Sequence, residues 1–149
     1  MSVSAICNHN VATIERTDGV VEAAERMRTQ HVGDLIVVEH RDGRAIPVGI
    51  ITDRDIVVGI VARRTPPAAV TVGDAMSSRL LTVHQDNGIE FALREMRRVG
   101  VRRAPVVGDA GELVGVLSID DVIDHLAVQV GHIADVVRFG QQAEVGSRP

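Results

Sequence analysis

"GIITDRDIV" occupies residues 49–57 and "GVLSIDDVI" occupies residues 115–123. Each phrase runs from a glycine through aliphatic residues to Thr52 or Ser118, then over two variable positions to Asp55 or Asp121 and two more aliphatics. The apolar run reads as a strand. The Thr-x-x-Asp or Ser-x-x-Asp spacing reads as a capping box, in which the hydroxyl caps a helix and the acid bonds back to the first amide. A strand therefore hands directly to a helix, and it does so twice.

Working outward, both phrases close a longer repeat. Residues 3–38 lie on 72–107 at a constant offset of 69, with Val3 on Val72, Thr13 on Thr82, Ala23 on Ala92, Met27 on Met96 and Val37-Val38 on Val106-Val107. The first copy is longer in the stretch EHRDGRAIPV (39–48), against GDAGELV (108–114), as a hairpin turn tolerates. Beyond it the offset is 66, placing Gly49 on Gly115, Thr52 on Ser118 and Asp55 on Asp121.

Each half reads in the same order. A short leading turn (Val3–Cys7; Val72–Met76) precedes a brief strand (Ala12–Ile14; Leu81–Val83). An amphipathic helix follows, with Val20, Ala23, Ala24 and Met27 in one copy and Ile89, Ala92, Leu93 and Met96 in the other at i, i+3, i+4, i+7. A strand, a turn at Asp42-Gly43 or Asp109–Gly111, a second strand and a second helix complete the unit. The expected fold is mixed α+β, two β-α-β-β-α repeats packed sheet to sheet about a pseudo-twofold axis. The boundaries are repeat 1 at 1–70, repeat 2 at 71–138 and a flexible C-terminal tail at 139–149, with Pro66-Pro67 ending the helix before the joint. Half a chain of this length is marginal as an independent core, so the copies must bury each other. The apolar spacing continues through Val130, Ile133 and Val137, predicting one last helix from Ile119 to about Phe139.

Composition narrows the function. Apolar residues make up 45%, but there is no Trp or Tyr and only Phe91 and Phe139 as aromatics, so the core is aliphatic. Base-stacking platforms for single strands are lacking, and a formal charge of −4 opposes binding to duplex phosphates. No partner of nucleic-acid type is expected. The longest strongly apolar run, Ile56–Ala62, is too short for a bilayer. One cysteine, Cys7, and a start without a signal-peptide pattern point to the cytoplasm.

The paired G-h-h-[ST]-x-x-D phrases, in register within the repeat and joined by GVRRAPVV (100–107), resemble a tandem pair of cystathionine-β-synthase-type (CBS) domains, a Bateman module. The resemblance runs from about Val3 to Leu126. It implies two clefts related by the pseudo-twofold axis, ligands of adenosine type (AMP, ADP, ATP, S-adenosylmethionine or NAD) and a disc-like homodimer. It also implies a stand-alone regulatory role exerted on another, unidentified protein. The alternative is a ligand-free dimerisation or interaction scaffold with the same fold. No resident cofactor is implied beyond the regulatory nucleotide.

The candidate binding residues follow from both lines. Helix N-termini favour anions, and an ionised Asp offers two acceptors to a ribose diol. This nominates Thr52, Asp55, Ser118 and Asp121, the Asp by family resemblance binding the diol with the hydroxyl beside it. An apolar adenine slot would be lined from Thr13, Ile14, Ile50, Thr82, Val83 and Val116. Arg102 and Arg103 match family positions that contact phosphate. The first copy has Gly33 and Asp34 there, with Arg54 as a substitute cation, so the clefts should be unequal in phosphate recognition.

Catalysis and metal chemistry find less support. Ser118, Asp121 and His125 supply the residue types of a hydrolase, but Asp121 and His125 sit at i, i+4 on one helix and no oxyanion hole accompanies them. Asp120, Asp121, Asp124 and His125, or Cys7 and His9, show no recognised ligand spacing, so no metal site and no enzymatic activity are expected.

Overall fold

A computed structural model describes residues 1–147. In the first half, β1 (Thr13–Glu15), α1 (Val20–Gln30), β2 (Asp34–Arg41), β3 (Arg44–Thr52) and α2 (Asp53–Ile56) follow in order, and α2 continues as a π-helical turn over Val57–Val61. A 3-10 turn at Pro67–Ala69 leads to α3 (Val72–Ala75) and the second half: β4 (Val83–His84), α4 (Ile89–Val99), β5 (Arg103–Val107), β6 (Leu113–Ser118) and α5 (Ile119–Ser147). Each half carries a three-stranded sheet, ordered β1-β2-β3 and β4-β5-β6, with the first pair parallel and the second antiparallel. The two sheets meet along β3 and β6.

The repetition extends to irregularities. Asp34 pairs with Thr52 in one sheet and Arg103 with Ser118 in the other, and the register slips at Val37/Val38 and at Val106/Val107. Both amphipathic helices end in a left-handed residue, His31 (φ 54°) and Gly100 (φ 78°). The first hairpin turns on Asp42 and Gly43, both at positive φ, as a two-residue loop matching strand twist requires.

The cores do not follow a cut at residue 70. Val3 and Cys7 are buried with Val83, Ala92, Met96, Ala104, Val106, Leu117 and Val122 of the second half. Val72, with Val70, Ala75 and Met76 against it, belongs to the core of Ile14, Val20, Met27, Leu35, Val37 and Ile51 in the first. The main-chain bonds are exchanged in the same way. Val3 and Ser4 donate to the carbonyls of Asn87 and Gln85, and Val72 and Gly73 donate to those of Asp18 and Arg16. Each leading segment thus completes the other repeat.

This exchange explains the glycine that opens each phrase. Asn8 and Val116 exchange two backbone bonds of 2.9 Å, as do Ser77 and Ile50 at 2.9 and 3.1 Å. The crossing segment lies so close that a Cβ on Gly115 would stand 2.7 Å from Cys7 Sγ and 2.9 Å from Asn8 O, and one on Gly49 2.7 Å from Met76 Sδ and 2.8 Å from Ser77 O. Only a residue without a side chain fits beneath it.

Three expectations change. Ala24 is exposed, although Leu93 at the same helical position packs against its core. Of the expected tail at 139–149, residues 139–147 are helical, because α5 runs through to Ser147, and residues 148–149 lie outside those described. The leading strands start later than expected, leaving Ala12, Leu81 and Thr82 before β1 and β4.

Candidate functional site

Two clefts open where the repeats face each other. The first, about 300 Å³, is lined by Asn8, Asn10, Val11, Ala12, Val32, Asp34, Ile36, Arg103, Val116, Ser118, Asp120 and Asp121. The second, about 660 Å³, is lined by Gly33, Asp34, Ile50, Thr52, Asp53, Arg54, Val101, Arg102, Arg103 and Asp120. Each takes its strand-to-helix junction from one repeat and its facing wall from the other, as the pseudo-twofold arrangement dictates.

Both phrases form the capping box that their spacing predicts. Thr52 Oγ1 accepts the Asp55 amide at 3.1 Å while Asp55 Oδ2 accepts the Thr52 amide at 2.9 Å. Ser118 Oγ accepts the Asp121 amide at 3.1 Å, and Asp121 Oδ2 accepts both the Ser118 amide at 2.9 Å and the Ser118 hydroxyl at 2.6 Å. A third box, Thr71 with Asp74, escaped the sequence reading although TVGD (71–74) carries the same spacing. The hydroxyl and amide of Thr71 hold the Asp74 carboxyl below the usual range.

The boxes differ in what they face. Asp121 and Ser118 both line the first cleft. The Ser118 hydrogen is committed to Asp121, so the acceptor left for a ligand is Asp121 Oδ1, which makes no hydrogen bond among the described residues. Thr52 lines the second cleft, but Asp55 does not: it borders a separate cavity of about 250 Å³ with Gly59, Arg63, Thr65 and Asp74. Thr52 and Asp55 thus meet in one capping box but line different cavities, whereas Ser118 and Asp121 line the same one.

The apolar lining also shifts. Ile50 and Val116 line the second and first clefts as expected. Ile14 and Val83 are each 1% exposed and point into the two cores, so neither reaches a ligand. Strand alternation sends them to the inner face, and the chain just before β1, Val11 and Ala12, supplies the wall instead. Thr13 lines the opening that continues the first cleft past Val32 toward Arg26 and Gln30. Thr82 is exposed and lines neither cleft.

The arginines do not serve one cleft alone. Arg103 lines both and is paired with Asp34, which occupies the same place in the first repeat and also lines both. Burial pushes the Asp34 carboxyl up, the Arg103 charge opposes this, and the Asp53 charge adds to it. Arg102 is exposed and 3.7 Å from Asp120, while Arg54 stands in the second cleft beside Asp53. The expected contrast of a basic cleft with an acidic one is replaced by a mixed-charge junction between two clefts.

Other clusters are accounted for locally. Cys7 is buried in the second core, 3.8 Å from His9 Nε2, and burial together with the Asp121 charge pushes its thiol up, away from reactivity. His84, Asp86 and Asp109, which sequence spacing did not bring together, place ligand atoms within 4.8 Å of one another. The His84 ring is already engaged on both nitrogens, Nδ1 accepting the Asp86 amide at 3.3 Å and Nε2 lying 3.1 Å from Asp109 Oδ1.

Comparison with known proteins fits this geometry. The family described as CBS domain matches residues 3–62 and again 72–128. An uncharacterised protein of Methanopyrus kandleri is 34% identical over 123 residues, 83% of this chain and 61% of that protein, so the chain spans about three-fifths of this relative's length. Hypoxic response protein 1 of Mycobacterium tuberculosis is 30% identical over 121 residues, covering 81% of this chain and 82% of that protein. Among solved structures, a CBS domain protein from Pyrobaculum aerophilum complexed with AMP superposes with a TM-score of 0.71 at 28% identity, covering 81% of this chain and 89% of that one.

Proposed function

Because this chain belongs to the CBS domain family, we propose that it is a regulatory module that binds an adenosine-containing ligand and relays occupancy to another protein, with no reaction of its own. The observation that carries this is the first cleft: a free carboxylate oxygen on Asp121 at the edge of a slot walled by Val11, Ala12, Val32, Ile36 and Val116. A ribose diol supplies two donors to that acceptor, and aliphatic walls suit a purine face where the chain has no Tyr or Trp. The relative from Pyrobaculum is complexed with AMP, which makes AMP the first ligand to try. Self-association belongs to the same reading. Val57, Val58, Val61, Ile123 and Leu126 are exposed, and an apolar stripe of this kind marks an interface.

The test is a thermal-shift panel of AMP, ADP, ATP, S-adenosylmethionine and NADH on nucleotide-stripped protein. A ligand at a hundred times its Kd adds roughly 2.7 kcal/mol of stability. With no Trp or Tyr, a retained nucleotide also dominates the ultraviolet spectrum near 260 nm. If no ligand shifts the melting temperature and the purified chain carries no such absorbance, the module is a scaffold.

A further inference from the structure

Asp34, Arg103 and Asp120 line both clefts. Arg103 is the one cation lining the first cleft. Arg26, in the opening beyond Val32, is already held by Glu22 and by the Thr13 carbonyl, each at 2.8 Å. The second cleft has Arg103 too, with Arg54 and Arg102 beside it, and is also lined by Asp53. Across the junction Arg103 is ion-paired to Asp34. The two partners differ in freedom. The Asp34 side chain is 14% exposed and short, whereas that of Arg103 is 45% exposed and carried on a long flexible stem. The guanidinium can therefore turn toward either cleft, while the carboxylate stays at the axis.

We propose that Arg103 is a phosphate contact shared by the two clefts and makes them antagonistic toward anionic ligands, so that a nucleotide in one cleft weakens nucleotide binding in the other while an uncharged nucleoside does not. This rests on the adenosine reading above and adds its regulation. A phosphate in the first cleft takes Arg103 from Asp34, since that cleft is lined by no other cation. The second cleft then loses a cation and faces an unpaired Asp34 beside Asp53, whose charge already bears on it. Both changes disfavour an anion there. Linkage makes the penalty reciprocal: a phosphate that draws Arg103 into the second cleft withdraws the first cleft's cation at the same cost in affinity. Coupling between two sites typically amounts to about 5–150-fold. The lower end applies here, because Arg54 and Arg102 remain in the second cleft. A nucleoside makes no demand on Arg103 and fills the clefts independently. The chain therefore tells nucleotide from nucleoside by how many it holds as well as by how tightly.

The experiment is calorimetry of the full chain, freed of nucleotide, with AMP and with adenosine. Asp121→Ala weakens the first cleft at its ribose acceptor and leaves Asp34 and Arg103 in place. The second cleft of this variant is expected to bind AMP at least about fivefold more tightly than it does in the wild type with the first cleft filled, and to bind adenosine equally in both chains. Asp121→Asn, which keeps an acceptor for the cap, takes its place if circular dichroism shows the alanine chain unfolded. In an Asp34→Ala/Arg103→Met background, which removes both charges of the pair and leaves the net charge unchanged, the AMP difference is expected to vanish. Equal AMP affinity of the second cleft in the wild type and in Asp121→Ala overturns the antagonism. So does an AMP difference kept in full without the pair, which would assign it to repulsion between the ligands alone, and so does an equal difference with adenosine. Absence of heat with both ligands in the wild type overturns the adenosine reading and the coupling together, whereas two independent AMP sites overturn the coupling only.

Discussion

Asp34 and Arg103 hold the same position in the two repeats and meet at the junction, and Arg54 and Asp120 are a second pair of equivalents with opposite charge. Backbone geometry around them is held in common. Asp53 donates to Gly33 O at 2.9 Å in one half, and Ile119 donates to Arg102 O at 3.0 Å in the other. What has diverged is charge and volume on a fixed frame. Like charges at Asp34 and its counterpart would repel across the axis, so opposite signs let the halves join where identical ones would not. The comparison teaches that the duplication conserves main-chain contacts while the side chains at the axis become complementary.

Volume tells the same story in the cores, and there the largest effect is expected. The first repeat buries Leu35 where the second buries Ala104, while the second packs Leu93 where the first exposes Ala24. Leu35→Ala should cost about 2–5 kcal/mol in urea unfolding, the range for leucines truncated in a core. Ala24→Leu should not recover it, because residue 24 faces solvent. If the double variant regains wild-type stability, the two cores are more alike than the structure has them.

The crossing glycines come next. Gly115→Ala should destabilise by about 1–3 kcal/mol, since a Cβ meets Cys7 Sγ and the Asn8 carbonyl, neither of which can retreat. Gly49→Ala meets the Ser77 carbonyl too, but its other neighbour is the flexible Met76 end, so its loss should be smaller. Denaturant midpoints of the two variants compare the repeats directly, and a larger loss at Gly49 would reverse the comparison.

Much of this was legible in the sequence. The offset of 69, the period-3.6 stripes and the hydroxyl-x-x-Asp spacing place the strands, helices and both capping boxes. Three things were not, and each depends on tertiary placement. The exchange of leading segments needs Val3 in the second core, and its apolar character is equally compatible with either half. The parity of β1 and β4 buries Ile14 and Val83, and a strand only two or three residues long gives too little alternation to fix parity. That Asp55 lines a different cavity from Thr52, although the hydroxyl-x-x-Asp spacing is the same in both phrases, depends on the surrounding elements rather than on spacing.

That difference in lining makes the clefts separable in solution. Asp121→Ala should weaken an adenosine ligand by about 1.5–3 kcal/mol, the scale of hydrogen bonds to a charged group, measured by calorimetry. Asp55→Ala should leave affinity unchanged and cost only the cap, about 1 kcal/mol of stability. Equal losses of affinity in the two variants would restore the symmetric reading of the phrase.

The smallest effect lies at the Asp34–Arg103 pair, which competes with any phosphate for one guanidinium. Asp34 has its carboxyl raised by burial, so the folded protein takes up this proton more readily than the unfolded chain. The stability contribution of such a group is fully present below its unfolded value and is lost as pH rises through its folded value. Protonation on the acid side also releases Arg103. Lowering pH toward the Asp34 titration should therefore strengthen AMP relative to adenosine, on top of the titration of the phosphate itself. In Asp34→Ala, Arg103 is free at every pH, so that increment should vanish and AMP should bind more tightly at neutral pH by less than about 1 kcal/mol, with greater sensitivity to salt. Calorimetry of both chains with AMP and adenosine across this pH range separates the terms. If AMP affinity in Asp34→Ala follows the wild type at every pH, Arg103 takes no part in phosphate recognition, and the charge inversion at the axis serves only to join the two repeats.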